Sequence, residues 1–138
     1  MKELTFSIVK PDAMAAGTTG KILDRLLAEG FVIRGMKCMH LAAKEAEGFY
    51  AEHREKPFFP SLIRFVTEGP ILVMALEKDG AVADLRKVMG ATDPAEADPN
   101  TIRKLFGTSK ERNAIHGSAN PEDARREVAY FFAAVEIK

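Results

Sequence analysis

The sequence predicts a single α+β domain, and three observations carry that expectation. Strand-like apolar runs recur at residues 4–9, 31–41 and 71–76. Stretches with apolar residues at helical spacing separate and follow them. The chain has 138 residues, which fits one domain and buries roughly 68% of its unfolded surface without disulfide or metal staples.

Leu4, Phe6 and Ile8 alternate with Thr5, Ser7 and Val9, a strand that Lys10-Pro11-Asp12 ends. Residues 18–29 read as a helix with Ile22, Leu23, Leu26 and Leu27 as its apolar stripe and Gly30 as its left-handed cap. Residues 31–41 form a second strand, interrupted at Gly35. A helix over 43–55 places Ala46, Phe49 and Tyr50 on one face and stops at Pro57; a shorter one spans 61–68, between Pro60 and Gly69. The apolar run 71–76 reads as a buried strand, and 81–89 as a helix. Residues 90–118 lack clean periodicity, and a loop-rich segment of that length in a compact domain is usually functional. Asn120 then caps a helix that has Pro121 in its first turn and runs to about Phe132. A short last strand near 113–117 completes a ferredoxin-like split βαβ pattern, βαββαβ in order.

Bulk properties narrow the function. Twenty basic residues balance twenty acidic ones, so no net field draws the chain to nucleic acid or to a membrane surface. Cys38 is the only cysteine, which suits a reducing compartment. Met1-Lys2-Glu3 leads directly into a strand, and no apolar run approaches the ~20 residues a span needs. The expectation is a cytoplasmic protein.

His116 lies in Asn113-Ala-Ile-His-Gly-Ser118, just before the capped helix. A lone histidine is more often a packed or surface residue. Three features favour chemistry: Gly117 permits a sharp turn beside the ring, the helix start favours nearby phosphate, and Glu127 on that helix can turn back towards the imidazole. A carboxylate on one ring nitrogen fixes the tautomer and leaves the other as a nucleophile. Arg86, Thr92 and Arg103 read either as ordinary surface residues or as donors to phosphate oxygens. Lys10 is either a solvated strand end or a donor where the strand opens onto a site; Tyr50 and His53 share one helix face. Phe58 and Phe59 form an aromatic corner between two prolines: an exposed ring there can stack a base, and a buried one is core. Gly20-Lys21 lacks the rest of a P-loop, and no cluster has zinc spacing.

Together, the segments Phe6-Ser-Ile-Val-Lys-Pro-Asp12, Phe49-Tyr-Ala-Glu-His53, Pro57-Phe-Phe59, Thr92-Asp-Pro94, Asn100-Thr-Ile-Arg103 and Asn113-Ala-Ile-His-Gly-Ser118 resemble the nucleoside diphosphate kinase family, its short bacterial members in particular. The resemblance spans essentially the whole chain. It implies an antiparallel four-stranded sheet with helices packed on it. It also implies a ping-pong transfer of the γ-phosphoryl of a triphosphate, mainly ATP, to nucleoside diphosphates through phospho-His116, formed on Nδ1. By the same resemblance Glu127 and Ser118 support the imidazole and Tyr50 lines the site. Arg86, Thr92, Arg103 and His53 hold phosphates, Lys10 and Asn113 bind ribose hydroxyls, and Phe58 stacks on the base beside Leu62. Mg²⁺ is expected to be held mainly by substrate phosphates, with no residue assigned as its ligand. A homo-oligomer, tetramer or hexamer, is implied, involving the loop around Pro94 and the chain end near Lys138. Ala119 stands where the family usually has Asp, and Lys56 where Arg is usual before Pro-Phe-Phe. The competing reading is a ferredoxin-like nucleotide-binding module without turnover. Because neither Phe58 nor Leu62 can hydrogen-bond a base edge, broad base tolerance is expected.

Overall fold

A computed structural model describes residues 1–138. Its centre is a four-stranded antiparallel sheet in the order β2-β3-β1-β4, built from β1 (Lys2–Val9), β2 (Val32–Met39), β3 (Ile71–Asp79) and β4 (Ile115–Gly117). That is the ferredoxin-like arrangement. Helices cover both faces. On one side lie α1 (Pro11–Ala16), α2 (Thr19–Ala28), α5 (Ala81–Met89) and α6 (Ile102–Phe106), around a core that includes Val9, Leu26, Met74, Leu85 and Ile115. On the other lie α3 (Ala43–Phe49), α4 (Phe59–Val66) and α7 (Pro121–Phe131), around Phe6, Ile8, Phe49, Val73 and Phe131. No helix is long and apolar enough to cross a membrane.

The double cover changes how β1 is read. Its alternation suggests a polar outer face, yet Thr5 and Ser7 are fully buried beneath α5 and its neighbours. Ser7 Oγ donates to the carbonyl of His116 at 2.8 Å, tying β1 to β4 by a side chain as well as by the ladder. Phe6 stacks on Phe131 with ring centroids 5.2 Å apart and meets Phe49 at 5.6 Å. Truncating such a buried ring to Ala costs about 3–5 kcal/mol. This aromatic layer forms the floor under the centre of β4.

Four local readings differ from the structure. Lys10-Pro11-Asp12 does more than stop β1: Pro11 opens α1, where its missing N–H costs nothing, and Gly17 closes it with φ +76°. The helix expected over 43–55 ends at Phe49 and continues as a separate 3-10 turn, Ala51–His53. The aperiodic segment 90–118 holds a 3-10 turn at Pro94–Glu96 and the helix α6, capped by the Thr101 hydroxyl, before β4. Gly117 has no positive φ. A Cβ there would stand 2.7 Å from Met89 Sδ and 2.9 Å from Leu85 Cδ2, so glycine is needed for close packing on α5 rather than for a turn.

Candidate active site

The sharp turn beside His116 falls at Ala114 instead. Ala114 has φ +76°, and the N–H of Ile115 donates back to the Asn113 carbonyl at 2.9 Å, a tight γ-turn that is strained for a residue with a Cβ. The strand end holds the strain in place: Lys10 N–H donates to Ala114 O at 2.9 Å, and Ala114 N–H donates to Asp12 Oδ2 at 3.1 Å. This turn delivers His116 into β4, opposite Ile8 of β1.

Helix α7 buries Ala124, Glu127, Val128 and Phe131 at positions i, i+3, i+4 and i+7. A carboxylate thus occupies a place in an apolar stripe, and it needs partners there. Glu127 Oε1 lies 3.0 Å from His116 Nε2 and accepts from the Ser118 hydroxyl at 2.8 Å. Arg126 lies 3.5 Å from its other oxygen. Burial pushes the Glu127 carboxyl up, but the His116 and Ser118 hydrogen bonds and Arg126 outweigh it, and the net shift is downward. Burial lowers the His116 ring against the pull of Glu127, and Lys10 and Arg103 lower it further. Both shifts describe an ionised carboxylate facing a neutral imidazole. An ionised carboxylate only accepts, which assigns the proton to Nε2 and leaves the Nδ1 lone pair unprotonated. Phe49 meets the ring edge-on at 5.6 Å and Phe6 lies 6.0 Å away, so the imidazole is wedged as well as tethered.

Around this pair sit cations that make no direct ion pair, with Asp12 and Glu111 acting on Lys10 from further off. Lys10 is buried, and its Nζ donates to Asn113 Oδ1 at 2.9 Å; burial and the Arg103 charge lower its pKa to about 8. Arg103 is buried and donates to the Ile115 carbonyl through Nε and Nη2 at 3.3 and 2.9 Å, and to Gly90 O at 3.2 Å. Those bonds fix the fork and leave two of its five N–H groups to point elsewhere. Burial and the neighbouring Arg86 lower the Arg103 pKa to about 10. Lys10, Arg86 and Arg103 take part in none of the protein's salt bridges. Clustered, partly buried positive charge that makes no direct ion pair is unfavourable in isolation and is complementary to a polyanion.

A cleft of about 340 Å³ opens beside these groups, lined by Lys10, Phe58, Leu62, Thr92, Lys110 and Glu111. The aromatic corner is resolved by burial: Phe58 is 48% exposed at the cleft, whereas Phe59 packs on the core. His53 lies 5.5 Å from the Phe58 ring and 6.3 Å from Tyr50. Tyr50 is buried, which together with Glu127 pushes its hydroxyl far up and keeps it neutral. Asn113 is largely occupied as a brace: its Nδ2 donates to the carbonyls of Thr92 and Lys110, each at 3.0 Å. Arg86 stands apart from the cleft, exposed, in a depression with Ala119, Asn120 and Pro121 at the start of α7. Ala119 therefore lies beside Arg86, while Asn120 caps α7 by accepting from Asp123 N–H at 2.8 Å. The sequence reading did not single out Lys110, Glu111, Arg126 or Asp12. Only Asp12, directly after the proline that opens α1, carried a local signal.

The family model described as nucleoside diphosphate kinase matches residues 3–137. The nucleoside diphosphate kinase of Sorangium cellulosum is 56% identical over 135 residues, covering 98% of this chain and 94% of that one. That of Thermus thermophilus is 52% identical, covering 98% of each. Among solved structures, the Aquifex aeolicus nucleoside diphosphate kinase superposes with a TM-score of 0.98 at 45% identity, over 100% of both chains. A halophilic nucleoside diphosphate kinase from Halobacterium salinarum in complex with CDP gives 0.95 at 41% identity, over 100% of this chain and 92% of that one. A tethered imidazole among unpaired cations and a near-complete match in sequence and fold lead to one conclusion: the chain belongs to the nucleoside diphosphate kinase family and is a phosphotransferase.

Proposed function

We propose that the enzyme moves the γ-phosphoryl of a nucleoside triphosphate, chiefly ATP, to nucleoside diphosphates in two half-reactions that share one site. In the first, the Nδ1 lone pair of His116 attacks the γ-phosphorus, the bond to the β–γ bridging oxygen breaks, and the diphosphate leaves with that oxygen's electron pair. In the second, a terminal phosphate oxygen of another diphosphate attacks the phosphohistidine and Nδ1 leaves. No proton is transferred at Nδ1 in either step. Glu127 stabilises the positive character the ring gains while phosphorylated, and Ser118 holds that carboxylate in place. The single observation that carries this reading is the His116–Glu127 contact at 3.0 Å through Nε2, because it leaves the opposite nitrogen as the nucleophile.

Arg103 and Arg86 offset charge on the transferring group, with Thr92 and His53 as further phosphate donors and Tyr50 lining the site. Lys10 and Asn113 address the ribose, and Phe58 and Leu62 the base. Magnesium enters with the nucleotide as part of the substrate, held mainly by its phosphates, and we assign no residue of the chain as its ligand. The CDP bound by the Halobacterium relative supports a nucleotide as ligand. We place the enzyme in the cytoplasm, which suits the free thiol of Cys38, and read it as a homo-oligomer, tetramer or hexamer.

The test is a chase. Protein loaded from γ-labelled ATP is freed of nucleotide and mixed with an unlabelled diphosphate. Quantitative passage of label to the triphosphate is expected. Label retained on the protein, or none acquired, contradicts the two-step reading and favours a binding module without turnover.

A further inference from the structure

Asp12 touches none of the groups that react, yet it sits where a carboxylate is costly. It is half-buried at the start of α1, and its Oδ1 is shielded from solvent without a hydrogen-bond partner. Burial raises its pKa against the pull of neighbouring backbone N–H groups and of Lys10. An orphaned buried oxygen is unfavourable, and a neutral side chain would avoid it. The other oxygen, Oδ2, accepts the N–H of Ala114 at 3.1 Å, across 102 residues of chain. Ala114 holds φ +76°, a conformation its Cβ disfavours, and its side chain is fully buried in the core. Both polar groups of its backbone are taken by one short segment: Lys10 N–H holds the carbonyl, and Asp12 holds the N–H. His116 follows two residues later, with Nε2 already fixed by Glu127.

Resting on the transfer through His116 proposed above, we infer that Asp12 is a positioning residue: it pins the strained Ala114 turn that aims the imidazole, and its charge keeps Lys10 a cation for the nucleotide. Glu127 fixes one end of the ring, and the turn sets the backbone from which the ring hangs. Without the Asp12 contact, Ala114 relaxes towards negative φ, the start of β4 swings, and Nδ1 leaves the line of attack. Misplacement of that kind slows the chemical step even when nucleotide is saturating. The charge acts separately. Lys10 faces Arg103 from α6, Asp12 from α1, Glu111 from the loop before β4 and His116 on β4 itself. Burial and Arg103 lower its pKa, and Asp12 and Glu111 oppose them, leaving it at about 8. Asp12 also acts on Arg112, but that guanidinium is already paired with Glu68 at 2.8 Å.

Two substitutions separate the hydrogen bond from the charge. D12N keeps an oxygen for the Ala114 N–H and removes the charge; D12A removes both. The measurements are single-turnover phosphorylation of His116 at saturating γ-labelled ATP, and KM for nucleotide as a function of pH. In D12A the phosphorylation rate is expected to fall about tenfold, the scale of one hydrogen bond to a charged acceptor. D12A/A114G should recover to within about threefold of A114G alone, because glycine holds a positive φ without a pin. In D12N the rate should stay within about threefold of wild type. Its KM should begin to rise at lower pH than in wild type, since losing a negative neighbour lowers the Lys10 pKa. D12N preserves the shape of the side chain and carries the test on its own if D12A fails to fold. A D12A rate within threefold of wild type overturns the proposal. So does a D12A loss that A114G leaves in place, which would mark general damage to α1, or a D12N pH profile that matches wild type. Wild-type protein that acquires no label on His116 defeats the underlying reaction; wild type that labels no faster than D12A defeats this inference alone.

Discussion

Replacing Glu127 by Gln keeps the shape of the group that touches His116 and removes its charge. The buried carboxylate sits 3.0 Å from Nε2, so its charge centre is about 4 Å from the ring. At an effective dielectric of about 20, a full charge on the imidazole would interact with it by about 4 kcal/mol. Taking roughly half of that charge as developed at the transition state sets an upper figure for a loose phosphoryl transfer. The expected loss is therefore up to about 2 kcal/mol, or roughly thirtyfold in rate. A flipped amide would add to it, because an NH₂ group donating to Nε2 would move the ring proton to Nδ1 and block the nucleophile. The assay is single-turnover formation of phosphohistidine by rapid quench, beside nucleotide affinity by calorimetry. The expected result is a phosphorylation rate down by up to about thirtyfold with affinity changed less than about threefold. The sign of a pH effect follows too. Glu127 raises the His116 pKa against burial, so removing its charge lowers the ring pKa further. The acid limb of the phosphorylation rate, where the ring protonates and loses its lone pair, should move to lower pH in the variant. A rate within threefold of wild type, with an unmoved acid limb, would refute the reasoning.

Three further outcomes are expected. Arg103→Ala should lower kcat by about 10²–10³ and also depress Tm, since Arg103 braces the carbonyls of Ile115 and Gly90; exposed Arg86→Ala should lower kcat with little change in Tm, and equal Tm changes would contradict that division. Lys10 loses its charge as pH rises through about 8, so KM for nucleotides should climb above that pH in wild type and stay flat in Lys10→Arg; parallel profiles would remove Lys10 from binding. Phe58→Ala should raise KM for every base by about tenfold without moving Tm, because the ring is 48% exposed; a large fall in Tm would make Phe58 a core residue instead.

The parts of the fold that were legible in the sequence owe their signal to burial with a clear period. The stripe Ile22, Leu26 in α2 and the continuous run of β3 specify their partners by pattern alone. What escaped was set by tertiary context. Helices α1 and α6 are six and five residues long, too short for a periodic stripe, and only Pro11, Gly17 and the Thr101 cap mark them. Thr5 and Ser7 look solvent-facing until α5 covers that side of β1. Gly117 suggested the sharp turn beside the ring, and the structure places that turn at Ala114, a residue with no sequence signature for positive φ. At the site, the approach of Glu127 to His116 was legible as a carboxylate on an amphipathic helix following the histidine. Glu111 was not, because its place depends on Ser61, fifty residues away.

The central claim is that the phosphoryl group rests on His116 between substrates. It is tested most directly by incubating the enzyme with γ-labelled ATP and no acceptor, quenching within one turnover, and locating the label by peptide fragmentation. The account expects one label per chain on the His116 imidazole, stable in base and lost in acid, formed at a rate that supports steady-state turnover and absent from His116→Ala. Label on any other residue, or a His116→Ala protein that labels and turns over as wild type does, would contradict it.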